Sequence, residues 1–133
     1  MGKTAAVTAG AALVAGSMLV APAAASAASD AFRGTWTSTD LDGSSQWLAI
    51  GGSGTTGLHS ARLFDDSATS VCGGAPASVE GRGTTAGNTL TMTGVLTCRP
   101  GGNLLRFRIS LDFVYSPRRD VLTDSFGVLW RRS

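Results

Sequence analysis

The segment from Leu104 to Tyr115 shows the clearest alternation of apolar and polar side chains in the sequence. A period of two over this length is typical of a β-strand that has one buried face and one face in water. We therefore predict a long strand whose odd-numbered face points into the core. The apolar positions are Leu105, Phe107, Ile109, Leu111, Phe113 and Tyr115, and the polar positions between them are Arg106, Arg108, Ser110 and Asp112.

Shorter alternating segments surround this strand and are separated by turn residues. Gly, Thr and Ser interrupt the chain about every 8 to 12 residues, the spacing of a meander, a sandwich or a barrel. Asp42-Gly43 is a strong hairpin signal, and no segment after residue 28 has helical periodicity. We predict an all-β fold of eight antiparallel strands that closes into a barrel, because closure leaves no strand edges exposed. The predicted strands are Phe32–Thr39, Gln46–Ile50, Leu58–Phe64, Ala77–Thr85, Thr89–Cys98, Leu104–Tyr115, Val121–Asp124 and Phe126–Arg132.

Residues 1–27 have the features of a cleaved export signal. Lys3 is their only charge, a stretch of apolar and small residues runs from Ala5 to Val20, and Ala25-Ser26-Ala27 fits the A-x-A cleavage rule. A transmembrane anchor is the alternative, but the segment is rich in Ala and Gly and only about 17 residues long, the lower limit for spanning. We predict a secreted, extracellular protein with a single domain, residues 28–133, and no membrane attachment after cleavage.

Charge and cysteine content narrow the classes of partner. The chain has 11 basic and 9 acidic residues, and Lys3 is the only lysine. The cleaved domain is therefore close to neutral, which argues against a nucleic-acid partner. In an oxidising compartment Cys72 and Cys98 are expected to form a disulfide, whose loop of about 26 residues corresponds to about 3 kcal/mol of stabilisation. A metal-binding pair or a nucleophilic cysteine is the alternative, and the presence of only one histidine disfavours it.

The first and last predicted strands carry a motif found in known barrels. Gly34-Thr35-Trp36 lies on the first strand and Trp130-Arg131 on the last. This pairing resembles the calycin arrangement of lipocalins and avidins, in which a Gly-x-Trp opens the barrel and a basic residue of the final strand packs over the tryptophan. The resemblance implies a calycin-like barrel in which Arg131 makes a cation–π contact with Trp36. The residues that it implies in barrel closure are Gly34, Trp36, Trp130 and Arg131.

Short strings along the whole domain point to a second group of proteins. They are Gly34-Thr35-Trp36-Thr37-Ser38-Thr39-Asp40, Asp42-Gly43-Ser44, Asp65-Asp66, Cys72-Gly73-Gly74, Leu96-Thr97-Cys98 and Leu122-Thr123-Asp124-Ser125. These strings resemble a family of uncharacterised secreted bacterial proteins that has no established activity. The expected architecture is also similar to that of the Inh family of bacterial metalloprotease inhibitors, which are small eight-stranded barrels with one disulfide. Those inhibitors act through an N-terminal trunk, whereas residues 28–31 form only a short segment here.

The sequence contains no convincing catalytic or metal-binding group. His59 has neither a nucleophile nor a second ligand beside it, and we expect it on the wet face of its strand. Asp40-x-Asp42-Gly43 lacks the further ligands of a calcium loop, and aspartates are common at turns because they mimic a backbone turn. A glycosidase-like pair of carboxylates is the alternative, and the sequence does not single out a pair among the aspartates. We predict a protein without catalytic residues, metal or cofactor.

Four arginines form a candidate surface for an anionic partner. Arg106 and Arg108 lie on the wet face of the long strand, and Arg118 and Arg119 flank the turn that follows. A solvated face with cross-strand ion pairs is the alternative that we favour.

The expected interior determines the functional prediction. We expect the inward side chains to fill the lumen and to leave no cavity of lipocalin size, so that binding takes place at a barrel mouth or on the outer surface. The domain is then a monomeric, non-catalytic module that binds an extracellular protein or a small ligand. The alternatives are a proteinase inhibitor that uses the loop around Cys72, a lipocalin-like carrier and, least favoured, a hydrolase. Besides the long strand, the inward positions are Trp36, Leu48, Ile50, Leu90, Met92, Phe126, Val128 and Trp130.

Overall fold

A computed structural model describes residues 31–53 and 56–133 of the chain, so the predicted signal peptide lies outside the described residues. Eight strands form a closed antiparallel barrel, in which each strand pairs with the next and the last pairs with the first. The predicted eight-stranded barrel is therefore confirmed. The strands are β1 (Gly34–Thr39), β2 (Ser45–Ser53), β3 (Leu58–Asp65), β4 (Ala77–Ala86), β5 (Thr89–Cys98), β6 (Leu105–Ser116), β7 (Val121–Asp124) and β8 (Leu129–Arg132).

Two short helical segments interrupt the strands, and the expectation of a helix-free domain is wrong at these places. Helix α1 (Thr69–Cys72) is a single turn that ends at Gly73, whose φ of 60° is left-handed and suits glycine. A 3₁₀ segment, Pro100–Gly102, lies between β5 and β6. Within the described part of the chain, no helix has the length and hydropathy of a membrane-spanning segment.

The predicted disulfide joins Cys72 at the end of α1 to Cys98 at the end of β5. Both cysteines are buried. The bond therefore fixes the helical turn between β3 and β4 onto the barrel, whereas the backbone hydrogen bonds of residues 68–75 lie within the turn and its flanking loop. The sequence predicted this pairing correctly.

The face of strand β3 that points to the core is the opposite of the face that we predicted. His59 is only 3% exposed, whereas Leu58 is 57% exposed, so the expectation that His59 lies on the wet face is wrong. The side chain of Arg62 needs water, and because side chains alternate along a strand, an outward Arg62 places residue 59 inside. The His59 Nδ1 lies 3.0 Å from the Gly51 carbonyl oxygen.

One end of the barrel, which we call the closed end, is formed by residues 31–33, 56–57, 87–88 and 117–120. Trp36 is fully buried there, and its Nε1 donates to the Phe32 carbonyl oxygen at 2.9 Å. Tyr115 packs against both rings, with centroids 5.9 Å from Phe32 and 6.4 Å from Trp36. Aromatic side chains therefore fill this end, as the sequence predicted for the whole lumen.

The residue that packs over Trp36 is Arg132, and the expectation that Arg131 does so is wrong. The Arg132 guanidinium carbon lies 4.2 Å from the centre of the Trp36 ring. Trp130 points inward, so the alternation places Arg132 inward as well and leaves Arg131 exposed. Gly34 has a φ of 137° and lies so close to Arg132 that a Cβ there would be 2.7 Å from its Nη1. Glycine thus makes room for the guanidinium.

Arg132 also ties the segment before β1 to the turn between β6 and β7 at the closed end. Its Nε and Nη2 each lie 3.0 Å from an oxygen of the Asp120 carboxylate. Its Nη1 and Nη2 donate to the carbonyl oxygens of Arg33 and Ala31 at 2.8 and 2.7 Å. The hydrogen bonds to Asp120 raise the pKa of Arg132, and they lower the pKa of the Asp120 carboxyl.

Candidate functional site

The opposite end of the barrel, which we call the open end, is formed by residues 40–44, 66–76, 99–104 and 125–128. It contains a cavity of about 310 Å³. The prediction that side chains fill the lumen is therefore wrong in this half of the barrel. The lower wall and floor are apolar, with Trp130 and Phe107 among them, and Val71 of α1 and the 68%-exposed Phe126 lie at the rim. Other apolar lining residues are Leu63, Ala77, Val79, Leu96, Ile109 and Leu111.

The cavity exists because the two sides of the lumen differ. The side chains on one side are bulky, whereas those on the opposite side are small or polar, and part of that side has no strand. Strands β7 and β8 have only four residues each, whereas β6 has 12. On β1 and β2 the inward residues nearest the open end are Ser38 and Gln46. The odd-numbered face of β6 does turn inward, but Phe107 and Leu111 are only half-buried, since nothing large lies opposite them.

One wall of the cavity carries a hydrogen-bonded polar cluster centred on Asp65, which is 6% exposed. Its carboxylate accepts from Ser44 Oγ at 2.8 Å, from the Ser67 backbone N–H at 3.0 Å and from Gln46 Nε2 at 3.3 Å. Ser38 Oγ donates to Gln46 Oε1 at 2.8 Å and extends the cluster. These bonds satisfy a buried carboxylate that would otherwise be costly. We predicted turn roles for the aspartates, and Asp65 has such a role through its bond with the Ser67 N–H while it also lines the wall of the cavity.

A second carboxylate, that of Asp124, organises the turn between β7 and β8. Its Oδ1 accepts from the backbone N–H groups of Phe126 and Val128 at 2.9 and 3.0 Å. Its Oδ2 accepts from Trp130 Nε1 at 3.0 Å. Asp124 therefore positions both Phe126 at the rim and Trp130 at the floor, and it lines the cavity itself.

Asp40 is the third carboxylate of the lining. Its Oδ1 accepts from the Leu41 backbone N–H at 2.7 Å. Partial burial raises the pKa of the Asp40 carboxyl, and the nearby charges of Asp65 and Asp42 raise it further. Asp42 lies outside the lining and behaves oppositely, because hydrogen bonds from Ser44 and Thr69 lower its pKa. The lining thus concentrates negative charge, and among the described residues it includes no arginine.

The four arginines of the predicted anion-binding surface do not come together. Arg106 and Arg108 are exposed on β6 near the open end, and Arg118 and Arg119 are exposed in the turn at the closed end. The eight residue steps from Arg108 to Ser116 span about 27 Å at the rise of a strand. The expected ion pairs also do not form here: Arg106 and Arg108 lie opposite Thr97 and Val95 of β5.

The outer surface offers wider but shallower depressions. One of about 540 Å³ lies over β1 to β4 and includes Trp47, Ala49 and the exposed ion pair of Arg62 and Glu80. Its border includes Gly34, Gly51 and Gly81, whose lack of side chains leaves a dip in the wall of the barrel. The cavity at the open end is more enclosed and more apolar, so it is the stronger candidate for a binding site.

Within residues 31–53 and 56–133 no three His, Cys, Asp or Glu side chains are grouped so that they could hold a metal ion. Fold and site together define a small disulfide-linked β-barrel with one filled and one open end. The chain matches no protein-family model, no curated protein and no solved structure.

Proposed function

We propose that the domain is a non-catalytic binding module whose site is the cavity at the open end. The observation that carries this proposal is a cavity of about 310 Å³ with apolar walls and three carboxylates. Ligand sites are typically concave and mostly apolar, with a few polar groups, and range from about 300 to 1,000 Å³. This cavity lies at the small end of that range, so the proposed ligand is a small molecule.

The charge of the lining suggests what the ligand carries at its polar end. Asp65 and Asp124 already accept several hydrogen bonds from the chain, whereas Asp40 accepts one on Oδ1. A cationic group beside Asp40 would stabilise its charged form and offset the effect of burial on its pKa. We therefore propose an amphiphile with an apolar body and an ammonium or similar donor at one end.

This function rests on export, which we propose on the sequence of residues 1–27 and on the disulfide. Structural disulfides persist mainly in oxidising compartments such as the extracellular space. N-terminal sequencing of the protein from the culture medium of an expressing bacterium tests this step. A chain that begins at residue 28 or close to it is expected, and a chain that stays in the cytoplasm with residues 1–27 attached would contradict export.

Three probes that share an eight-carbon chain test the ligand class, namely octylamine, octanol and octanoate. Calorimetric titration of the cleaved domain is expected to show binding in the order octylamine, octanol, octanoate. Asp40→Asn should reduce the preference for octylamine over octanol, whereas Asp66→Asn, outside the lining, should not. Equal affinity for all three probes would contradict the proposed ammonium site.

A matched pair of variants locates the binding. Ala68 lies at the rim of the cavity and is half-buried, and Ala86 is exposed at the closed end of β4. Ala68→Phe is expected to block probe binding, and Ala86→Phe is expected to leave it unchanged. Binding that survives Ala68→Phe, or the absence of binding to the original domain, would overturn the cavity as the site.

A further inference from the structure

Strand β6 has an unpaired edge at the open end. It pairs with β5 from Leu105 to Val114, but it pairs with β7 only from Phe113 to Ser116. Among the described residues no strand covers its other side from Leu105 to Leu111. Such an edge presents a row of backbone N–H and C=O groups that can pair with another chain.

The hydrogen bonds around β6 show which groups point to this edge. The Tyr115 N–H donates to Asn88 on the β5 side, and the Asp112 N–H donates to Ser125 Oγ on the β7 side. Backbone groups alternate between the two sides along an antiparallel strand. The N–H and C=O groups of Arg106, Arg108 and Ser110 therefore face the open edge.

We propose that this edge docks an extended polypeptide segment, which adds a strand beside β6 and carries acidic residues opposite Arg106 and Arg108. This inference goes beyond the small-ligand site, because it concerns the backbone edge of β6 and the arginines of its outer face, while the inward side chains beside that edge also line the cavity. Strand addition takes its affinity from backbone hydrogen bonds and its specificity from alternate side chains. Both arginines are exposed and neither belongs to the two ion pairs of the described residues, Arg62–Glu80 and Arg132–Asp120.

The same charges disfavour a second copy of this chain as the occupant. Antiparallel pairing of two β6 edges about the middle of the free segment places Arg108 opposite Arg108, or Arg106 opposite Arg108, and like charges opposite each other destabilise a pair. A shift that places Arg106 opposite Asp112 requires the space beside Asp112 that Ser125 already occupies. Charge complementarity therefore selects a different, acidic segment.

The inward face of β6 indicates which type of residue should alternate with the acidic residues of the docked segment. Phe107, Ile109 and Leu111 are half-buried and form part of the apolar cluster of the barrel. An added strand would direct every second side chain toward this face. The segment is therefore expected to alternate acidic residues, on the side of Arg106 and Arg108, with apolar residues.

A capped seven-residue peptide of alternating Val and Glu is the probe. Fluorescence anisotropy of the labelled peptide is expected to show saturable binding to the cleaved domain. A peptide with Lys in place of Glu should bind about tenfold more weakly or worse. N-methylation of the peptide amides that would face β6 should abolish binding, because it removes the donors of the added ladder.

Charge reversal on the protein provides the matched variants. The double variant Arg106→Glu, Arg108→Glu should no longer bind the Glu peptide and should bind the Lys peptide instead. The double variant Arg118→Glu, Arg119→Glu, at the closed end, should leave the affinity for both peptides unchanged. On binding, hydrogen exchange should slow at the amides of Arg106, Arg108 and Ser110. No peptide binding, or binding without this protection, would overturn the proposal.

Two measurements separate this inference from the small-ligand site and from self-association. Octylamine binding by the Arg106→Glu, Arg108→Glu variant should equal that of the original domain, so either proposal can fail alone. Sedimentation velocity should show a monomer up to high concentration. If the domain forms a dimer whose stability changes with Arg108→Glu, a second copy pairs with the edge of β6. That result would contradict an acidic partner.

Discussion

The two halves of strand β6 lie at opposite ends of the barrel, one at the closed end and one at the open end. At the closed end, Tyr115 of β6 packs against Trp36, with 6.4 Å between ring centres. At the open end, Phe107 of the same strand lines a cavity of about 310 Å³. The alternation along β6 is unbroken, so the difference arises from what lies across the lumen. Aromatic rings and Arg132 face one half of β6, whereas Ser38, Gln46 and the short hairpin β7–β8 leave the other half uncovered.

This contrast separates stability from binding. The closed end has buried aromatic contacts and an arginine that joins β8 to residues 31–33 and to Asp120, which are features that stabilise a fold. The open end has partly exposed apolar side chains and aspartates at the rim and wall, which are features of a ligand site. Substitutions at the two ends should therefore have opposite signatures.

The largest effect is expected from removing the central aromatic ring of the closed end. Trp36 is fully buried, so Trp36→Ala should lower the free energy of unfolding by about 3–5 kcal/mol. Phe107→Ala, at the open end, should lower it by only about 1 kcal/mol, since part of that side chain already contacts water. Urea denaturation followed by circular dichroism measures both, with Trp36→Phe as a milder variant. Equal losses for the two alanine variants would contradict the contrast.

The next largest effect concerns the disulfide at the open end. Replacing Cys72 and Cys98 together by Ser should lower the free energy of unfolding by about 3 kcal/mol, because the bond closes a loop of 26 residues. Since Cys72 anchors α1 at the rim, octylamine affinity should fall as well. Treatment of the original domain with a strong reductant should reproduce both effects. Unchanged stability after reduction would show that packing alone holds α1.

Adjacent arginines on β8 give a sharper test of the closed end. Arg132→Met should cost about 1–2 kcal/mol, because it removes the contact with Trp36 and the hydrogen bonds to Asp120. Arg131→Met should change stability by less than about 0.5 kcal/mol, as is usual for an exposed residue. Thermal unfolding measures the pair. A larger loss of stability for Arg131→Met than for Arg132→Met would show that Arg131 stabilises the closed end, as the sequence motif suggested.

The smallest effects concern pH and have opposite signs at the two ends. The pKa of Asp120 is lowered by Arg132, so its contribution to stability is present above the unfolded pKa of about 3.9 and is lost as the pH falls. The pKa of Asp40 is raised by burial, so its contribution is present below that value and is lost as the pH rises through its folded pKa.

At pH 7, Asp120→Asn should therefore destabilise the domain and Asp40→Asn should stabilise it. Each change should be under about 1 kcal/mol, because both side chains reach water. Both differences should be smaller near pH 3 than at pH 7, because protonation of the carboxyls removes the charges that cause them. Urea denaturation at the two pH values measures them, and changes of the same sign would refute the pKa assignments.

The sequence predicted the fold well because alternation is a local signal. The boundaries of β5 and β7 and the Cys72–Cys98 pair agree with the structure. The same reasoning carried through β8 would have identified Arg132, since a residue two positions after the inward Trp130 also points inward. The motif Trp130-Arg131 drew attention to the neighbouring residue instead.

The cavity could not be predicted in the same way, because it depends on what lies across the lumen. Residues 105–111 of β6 pair with β5 but have no partner strand on their other side, because β7 and β8 are short and the closing pair β1–β8 is staggered. The burial of His59 was ambiguous for a similar reason, because β3 carries apolar residues on both faces at its ends. The sequence signal for the cavity is the polar residues at inward positions, namely Ser38, Gln46 and Asp65.

Methyl chemical shifts during an octylamine titration test the central claim most directly. Leu63, Val79 and Ile109 line the cavity, whereas Leu90 and Leu122 are buried outside its lining. We predict saturable shifts at the first three residues and none at Leu90 or Leu122. Shifts spread over both groups, or absent from the first, would contradict a barrel that is filled at one end and open to a ligand at the other.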